Sequence, residues 1–413
     1  MKLAPGTPLE IGLMLDEGEA ADTVGRLAMA DGLAQVEWSA AVVEQRRRID
    51  PLLYPPEPGL HAARGRNFDG LHGFLSDSLP DAWGQMLMKR RLEKLGVRID
   101  TLSAVDRLAL VGRTGRGALV YQPATTPTDD VGTIDLDALA DESRVLLIGN
   151  HPGEIDTLAR LGGASGGARP KIHLGIAPDG ALGGEGKAGH EDWIVKFRAT
   201  ADPFDIGPVE EAYARMARAA GIDMAASRLL SAQTGPGYFA TRRFDRPAPG
   251  RRLHMISLAG ALEARADMPS IDYDMFLRAT MAITRHADDV EEAFRRMVFN
   301  ILAHNRDDHT RQHSFLQDAA GEWRLAPAYD LTFSEGPGGE HYLAVEGEGR
   351  APTRAQVMTL GRRHGLSDRT VAAIIDSVRA ALADWVLMAT HAGATTSVIE
   401  IAERHAEVAR TFD

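Results

Sequence analysis

The sequence contains no cysteine, which excludes disulfides and thiolate metal sites outright. That suits a reducing compartment, and a cytoplasmic location is expected. The N-terminus, Met-Lys-Leu-Ala-Pro-Gly-Thr-Pro-Leu-Glu, lacks the apolar stretch of a secretory signal. No apolar run nears membrane-spanning length, so no membrane association is expected. Neither an internal repeat nor an extended low-complexity segment is present, which sets repeat architectures aside. Basic residues are in deficit: 46 Lys and Arg face 58 Asp and Glu, a formal net charge of −12. Such a balance argues against a general nucleic-acid-binding surface and leaves room only for a local basic patch. What remains is an ordinary globular composition, 44% hydrophobic and 25% charged, over 413 residues, enough for two or three packed lobes.

The first part reads as short strands and turns, with apolar runs at 11–15 and 35–38 and Tyr54-Pro55-Pro56 closing the region. A helix is predicted from near Asp81 through Trp83, Met86, Leu87 and Arg90, with Pro80 just ahead of it. Residues 106–121 read as strand, turn and strand around Gly112 to Gly117. Prolines and threonines at 123–128, followed by Asp129 and Asp130, read as a linker. A helix near 136–147 precedes a Gly-rich loop at 162–168. Strands follow at 171–176 and 193–197, then a helix at 210–220 and strands at 229–231 and 238–242. From about residue 270 the chain is predicted helical. Asp288 or Asp289 caps a helix whose Val290, Ala293, Phe294, Met297 and Ile301 form one apolar stripe, and Ser367 caps another through Val371, Ile374, Ile375 and Val378. The expected fold class is α+β, a mixed region ahead of a helical one with a cleft between lobes. The expected units are 1–130, 131–250 and 251–413.

The run at 304–316, His-Asn-Arg-Asp-Asp-His-Thr-Arg-Gln-His-Ser-Phe-Leu, and Ala-Pro-Ala-Tyr-Asp-Leu at 326–331 carry most chemical information. They supply two carboxylates, Asp307 and Asp330, with the amide of Gln312 between them. Phosphoryl transfer from ATP needs such a layout, since one carboxylate orients the attacking hydroxyl while another and an amide hold Mg²⁺. A cluster rich in His and Asp equally suits a transition metal, so a metal-dependent phosphoesterase or nuclease using His304 or His309 stays open. The spacings of His304, His309 and His313 leave no evident fourth ligand, which favours structural histidines. Upstream, glycines let backbone amides approach a phosphate, although plain turns use them too. Lys196 stands in the middle of an apolar strand, where a lysine is unusual unless paired or serving a ligand; its alternative is an edge-facing position. Loop, strand, turn and lysine in this order tilt the reading towards nucleotide binding. Arg243-Phe244-Asp245-Arg246 reads as an ion-pair corner, or with Phe244 against an adenine ring. Asp308 is expected to point elsewhere as a turn or capping residue.

Several motifs occur in one order along the chain: Phe74-Leu75-Ser76-Asp77-Ser78-Leu79-Pro80-Asp81-Ala82-Trp83-Gly84, Arg107-Leu108-Ala109-Leu110-Val111-Gly112, Gly166-Gly167-Ala168-Arg169-Pro170-Lys171, Arg243-Phe244-Asp245-Arg246, Asp307-Asp308-His309 and Pro327-Ala328-Tyr329-Asp330. In that order they resemble the HipA-like serine/threonine kinases, toxin components of bacterial toxin–antitoxin systems, over nearly the whole chain. The resemblance implies a two-lobed protein-kinase-like core with a mainly β N-terminal subdomain and a helical C-terminal lobe, using ATP and Mg²⁺. It assigns Asp307 as the catalytic aspartate and Asp330 and Gln312 as metal ligands. ATP would be contacted by Ser165, Gly166, Gly167 and Ala168 of the loop and by Lys196, with Phe244 and Tyr329 at the adenine. Gln312 stands where the family usually has asparagine. It offers the same amide oxygen on a longer stem, which keeps a nucleotide-binding pseudokinase open. Ser165, the loop's single serine, is the implied autophosphorylation site, while Ala164 occupies the position of the family's regulatory serine. A phosphate there, carrying about −1.5 to −2 charges, would repel ATP. The resemblance alone implies a protein substrate such as an aminoacyl-tRNA synthetase or another translation factor. It also implies a helix-turn-helix antitoxin as partner, the expected route to any nucleic acid.

Overall fold

The computed structural model describes residues 4–125, 134–149, 155–162 and 167–413. Five antiparallel strands form the first sheet: β1 (Leu9–Leu13), β2 (Asp22–Ala30), β3 (Leu33–Trp38), β4 (Leu60–Ala62) and β5 (Leu119–Gln122), in the order β4-β3-β2-β1-β5. Period-two alternation sets the faces, with Ala34, Val36 and Trp38 buried and Glu37 exposed. The strand expected at the start of 106–121 is instead the helix Ala104–Val111, opened by a reciprocal capping box of Ser103 and Asp106. Leu108, Ala109, Leu110 and Val111 are all buried, and a short apolar run buried on every side has no period that separates helix from strand.

The second sheet contains β6 (Lys171–Ile176), β7 (Leu182–Gly183), β8 (Glu191–Lys196), β9 (Ser227–Leu230) and β10 (Tyr238–Arg242), ordered β7-β6-β8-β10-β9 and antiparallel throughout. The helix Ile206–Ala219 packs on β9 and β10. Ile172, Leu174, Trp193 and Val195 share one apolar cluster with Trp83 and Leu87. Those two residues belong to the helix Ala82–Lys94, so an element from the N-terminal stretch completes the core of the second sheet. The indole Nε1 of Trp83 donates to the Lys171 carbonyl at 2.9 Å, which satisfies its polar edge.

The region expected to be helical also carries a small sheet of β11 (His254–Ser257), β12 (Ser314–Gln317) and β13 (Trp323–Leu325). Around it lie the helices Leu258–Leu262, Tyr273–Thr284, Ala287–Leu302, Arg354–Arg363, Asp368–Ala383, Trp385–Ala392 and Val398–Phe412. The apolar stripe of Ala287–Leu302 is buried as expected, but its N-cap is His286. Asp288 and Asp289 fall in the first turn, where a carboxylate favours the helix dipole. Asp289 also holds Arg324 through two hydrogen bonds of 2.8 and 2.9 Å. The N-terminal region is fastened here: Asp77 accepts from the backbone N–H and hydroxyl of Ser257 at 2.6 and 2.7 Å. Beside it, a Cβ on Gly73 would strike the Gly260 carbonyl, so glycine is required for this approach. The architecture is α+β, with sheets first and a predominantly helical C-terminal region. Among the described residues no helix is long and apolar enough to cross a membrane.

Candidate functional site

The hairpin β12–β13 positions the two acidic loops. After the helix Ala287–Leu302 the chain passes Asp307 and a 3-10 turn at Thr310–Gln312 before entering β12, and β13 leads out towards Tyr329 and Asp330. Lys196 meets them from the end of β8, not from mid-strand. Its Nζ pairs with Asp330 and lies 3.0 Å from Glu210 on the helix Ile206–Ala219. The Gln312 amide nitrogen donates to the other Asp330 oxygen at 3.0 Å. Lys171 stands directly across from Lys196 on β6, a like-charge juxtaposition tolerable only because carboxylates gather around it. The Asp330 backbone is left-handed, φ 57°, a conformation that non-glycine residues adopt rarely and that concentrates at functional sites.

Phe244 and Tyr329 come together as an aromatic pair, ring centroids 5.3 Å apart, on the wall of the cavity lined by Lys171, Lys196, Gln312 and Asp330. The Tyr329 hydroxyl is fixed by Ser314 Oγ at 2.7 Å and the Arg311 carbonyl at 2.5 Å. Gly167 lines the same cavity, whereas Ala168 is exposed and does not. Ser165 and Gly166 lie outside the described residues. The cavity measures about 100 Å³. Small-molecule sites usually reach roughly 300 Å³ or more, and both partners of the Lys196–Asp330 ion pair line this smaller one.

The two carboxylates titrate in opposite directions. Burial raises the Asp307 carboxyl; His309 opposes this and Asp330 adds to it. Burial would raise Asp330 as well, but Lys196 and Lys171 hold it well below the usual carboxylate range. Burial pushes the Lys171 ammonium down to about 8 against the pull of Asp330. It would lower Lys196 too, yet Asp330 and Glu210 keep that ammonium above its ordinary value. The opposed shifts leave Asp330 the more firmly ionised of the two and Asp307 the more basic. An all-oxygen donor set of the Asp330 carboxylate and the Gln312 amide suits Mg²⁺, which takes few protein ligands beside phosphate oxygens and water.

The histidines are engaged separately. His304 stacks on Phe333 and contacts Glu335 at 3.1 Å, and His313 is buried against Phe276 with centroids 4.1 Å apart. His309 accepts from the Arg311 N–H at 3.2 Å and lies 3.8 Å from Asp307. Among the described residues no group of three or more His, Asp or Glu is placed to hold a metal. Asp308 is neither a turn nor a capping residue. Fully buried, it accepts from Tyr273 at 2.6 Å and the Tyr342 N–H at 2.8 Å and meets His341 at 2.8 Å, anchoring the loop beneath Asp307. Arg243, Asp245 and Arg246 form the anticipated ion-pair corner.

Sequence reasoning missed two acids. Glu210 hid in a helix, where its signal was a carboxylate among the apolar positions Val209, Ala212 and Tyr213. Asp81 read as a helix start and does occupy the N-cap, but its side chain makes no capping bond. Instead it accepts the Gly167 N–H at 2.7 Å, pairs with Arg311 and lies 3.8 Å from Arg116. Gly167 and the loop carrying Arg311 are thereby joined through one carboxylate from the N-terminal region.

Comparison with known proteins bears on the family and the fold. In Haemophilus influenzae, a protein provisionally named a kinase is 28% identical over 178 residues, 40% of this chain. The matched stretch spans about half of that relative, 51% of its length. The fold is similar to that of HipA from Shewanella oneidensis, solved in a toxin–antitoxin complex with HipB and its operator DNA. The TM-score is 0.70 at 18% identity, covering 98% of this chain and 96% of that one. The HipA N-terminal domain matches residues 20–122, and the HipA-like C-terminal domain matches residues 163–386. Because the latter takes in more than half of the sequence, including Lys196, Asp307 and Asp330, the chain belongs to the HipA-like family.

Proposed function

We propose that this protein is an ATP- and Mg²⁺-dependent protein serine/threonine kinase. One observation carries the reading: Lys196 is held between Glu210 and Asp330 in a cavity that Gln312 and the Phe244–Tyr329 pair also line. Kinases use such a lysine–glutamate pair to keep an ammonium on the nucleotide phosphates. Phe244 and Tyr329 would line the adenine pocket, and Gly167 would offer its backbone to the phosphates. Asp330 and Gln312 would hold Mg²⁺, which supplies charge neutralisation on the phosphates when bound. Asp307 accepts a hydrogen bond from the substrate hydroxyl, aligns it with the phosphoryl group and takes its proton, a role its raised carboxyl favours. The units 1–130, 131–250 and 251–413 are part of this reading. So are a translation component as target and, since HipA of Shewanella was solved with HipB and operator DNA, a helix-turn-helix antitoxin as partner.

A second reading rests on Gln312, whose amide turns its nitrogen towards Asp330. In that reading the chain binds nucleotide without transferring phosphate. Labelled ATP with Mg²⁺, offered to the full chain with a serine/threonine protein acceptor, separates the two. Transfer is expected, and Asp307→Asn should lower it by about 10²- to 10⁴-fold. Nucleotide binding without any transfer would overturn the kinase reading in favour of the second. Cleavage of phosphoesters that needs His304 or His309 but no ATP would overturn both.

A further inference from the structure

A second cavity, of about 370 Å³, opens where the helix Ala40–Gln45 ends near the end of Tyr273–Thr284 and the turn between β12 and β13. Arg46, Arg47, Arg48 and Arg285 line it, with Thr284 and Trp323 among the other walls. Elsewhere the arginines are commonly matched, as Arg98 is with Asp100, Arg243 with Asp245 and Arg324 with Asp289. Among the described residues these four form no ion pair. Nε and Nη2 of Arg47 are shut off from solvent without a hydrogen-bond partner. Leaving such donors unsatisfied is costly, and a turn of the guanidinium into the adjoining cavity would give them an acceptor. Arg48 reaches only the Pro51 carbonyl. Burial, and then the charge of Arg285, lowers its pKa, so the cluster repels itself.

A structural explanation accounts for part of this charge. Arg46 and Arg285 are the left-handed C-caps of their helices, where cations are favoured. Two helix C-termini supply about one negative charge together. Glu322 on the wall and Asp50 near Arg48 supply two more. Asp50, however, is turned to the Leu52 and Leu53 N–H groups at 2.8 and 2.6 Å. Four cations exceed this total, and none of these acids reaches the buried nitrogens of Arg47. In a chain of net charge −12, positive charge is concentrated around a half-open cavity of small-molecule size.

We propose that this cavity is a binding site for a small phosphorylated anion. Guanidinium forks match phosphate oxygens two at a time, and arginine is the residue that best uses this geometry. A cavity of about 370 Å³ has the volume of a small-ligand site. Titration calorimetry of the full chain with inorganic pyrophosphate tests it, using Arg47→Gln/Arg285→Gln and Lys196→Met as paired variants. Neither arginine makes a side-chain bond among the described residues, so the double variant should fold, which a cooperative unfolding transition checks. The expected result is at least a tenfold loss of pyrophosphate affinity in the arginine variant, with binding retained in Lys196→Met. Absence of millimolar binding, or binding lost only in Lys196→Met, would overturn the proposal. So would arginine-dependent binding of duplex DNA without binding of pyrophosphate.

Discussion

Glu210→Gln isolates a charge that the fold has placed between two cations. The residue is 3% exposed, with Lys196 at 3.0 Å and Arg169 at 3.1 Å. At an effective dielectric of about 20, each contact is worth roughly 5 kcal/mol of gross attraction, most of it offset by desolvation. Removing one partner of a buried pair costs about 3–5 kcal/mol, because the remaining charge is stranded. Here Arg169 keeps Asp202 at 3.1 Å and Lys196 keeps Asp330, which places the loss near the lower figure. Denaturant unfolding should therefore show a loss of about 3 kcal/mol. Function should suffer by a separate route. With Glu210 neutral, Lys196 is drawn wholly to Asp330 and competes for the carboxylate proposed to hold Mg²⁺. The proposed transfer should fall about a hundredfold in kcat/KM, roughly 2.7 kcal/mol, and part of that loss should return at raised Mg²⁺. Transfer within twofold of wild type, with stability lost, would refute the idea that Glu210 presents Lys196 to the phosphates.

Asp81→Asn keeps an acceptor for the Gly167 N–H but removes the charge facing Arg311 and Arg116. Steady-state transfer should drop about tenfold in kcat/KM, near 1.4 kcal/mol, and an unchanged value would make the contact merely structural. His405 is buried against Tyr213 Oη at 3.0 Å, and burial pushes its pKa from 6.5 down to about 4. Between those values the unfolded chain holds a proton that the folded chain lacks, so stability is lost as pH falls through this window. In His405→Gln the slope of unfolding free energy against pH between 6.5 and 4 should flatten by about 1.4 kcal/mol per pH unit; equal slopes would refute the assignment.

Patterns tied to a single element were legible without coordinates. The period-two faces of β3, the stripe of Val290, Phe294, Met297 and Ile301, and the Ser367 cap all follow from local periodicity or local hydrogen bonding. The helix Ala104–Val111 was missed because its burial on all sides erases periodicity. Asp308 was misjudged because a carboxylate next to a turn usually faces water, and its partners Tyr273 and His341 lie over thirty positions away.

The sequence by itself determined which chemistry was available. It holds carboxylates at 307 and 330, an amide at 312, a lysine in an apolar strand and no thiol anywhere. Tertiary structure alone decided who meets whom. It brings Lys196 to Asp330 across 134 positions and inserts Glu210 between Lys196 and Arg169. It also places Asp81 against Arg311 and docks Trp83 beneath the second sheet. Periodicity records how deeply a side chain is buried and on which face, whereas an ion pair depends on a partner whose distance along the chain leaves no trace in either local pattern.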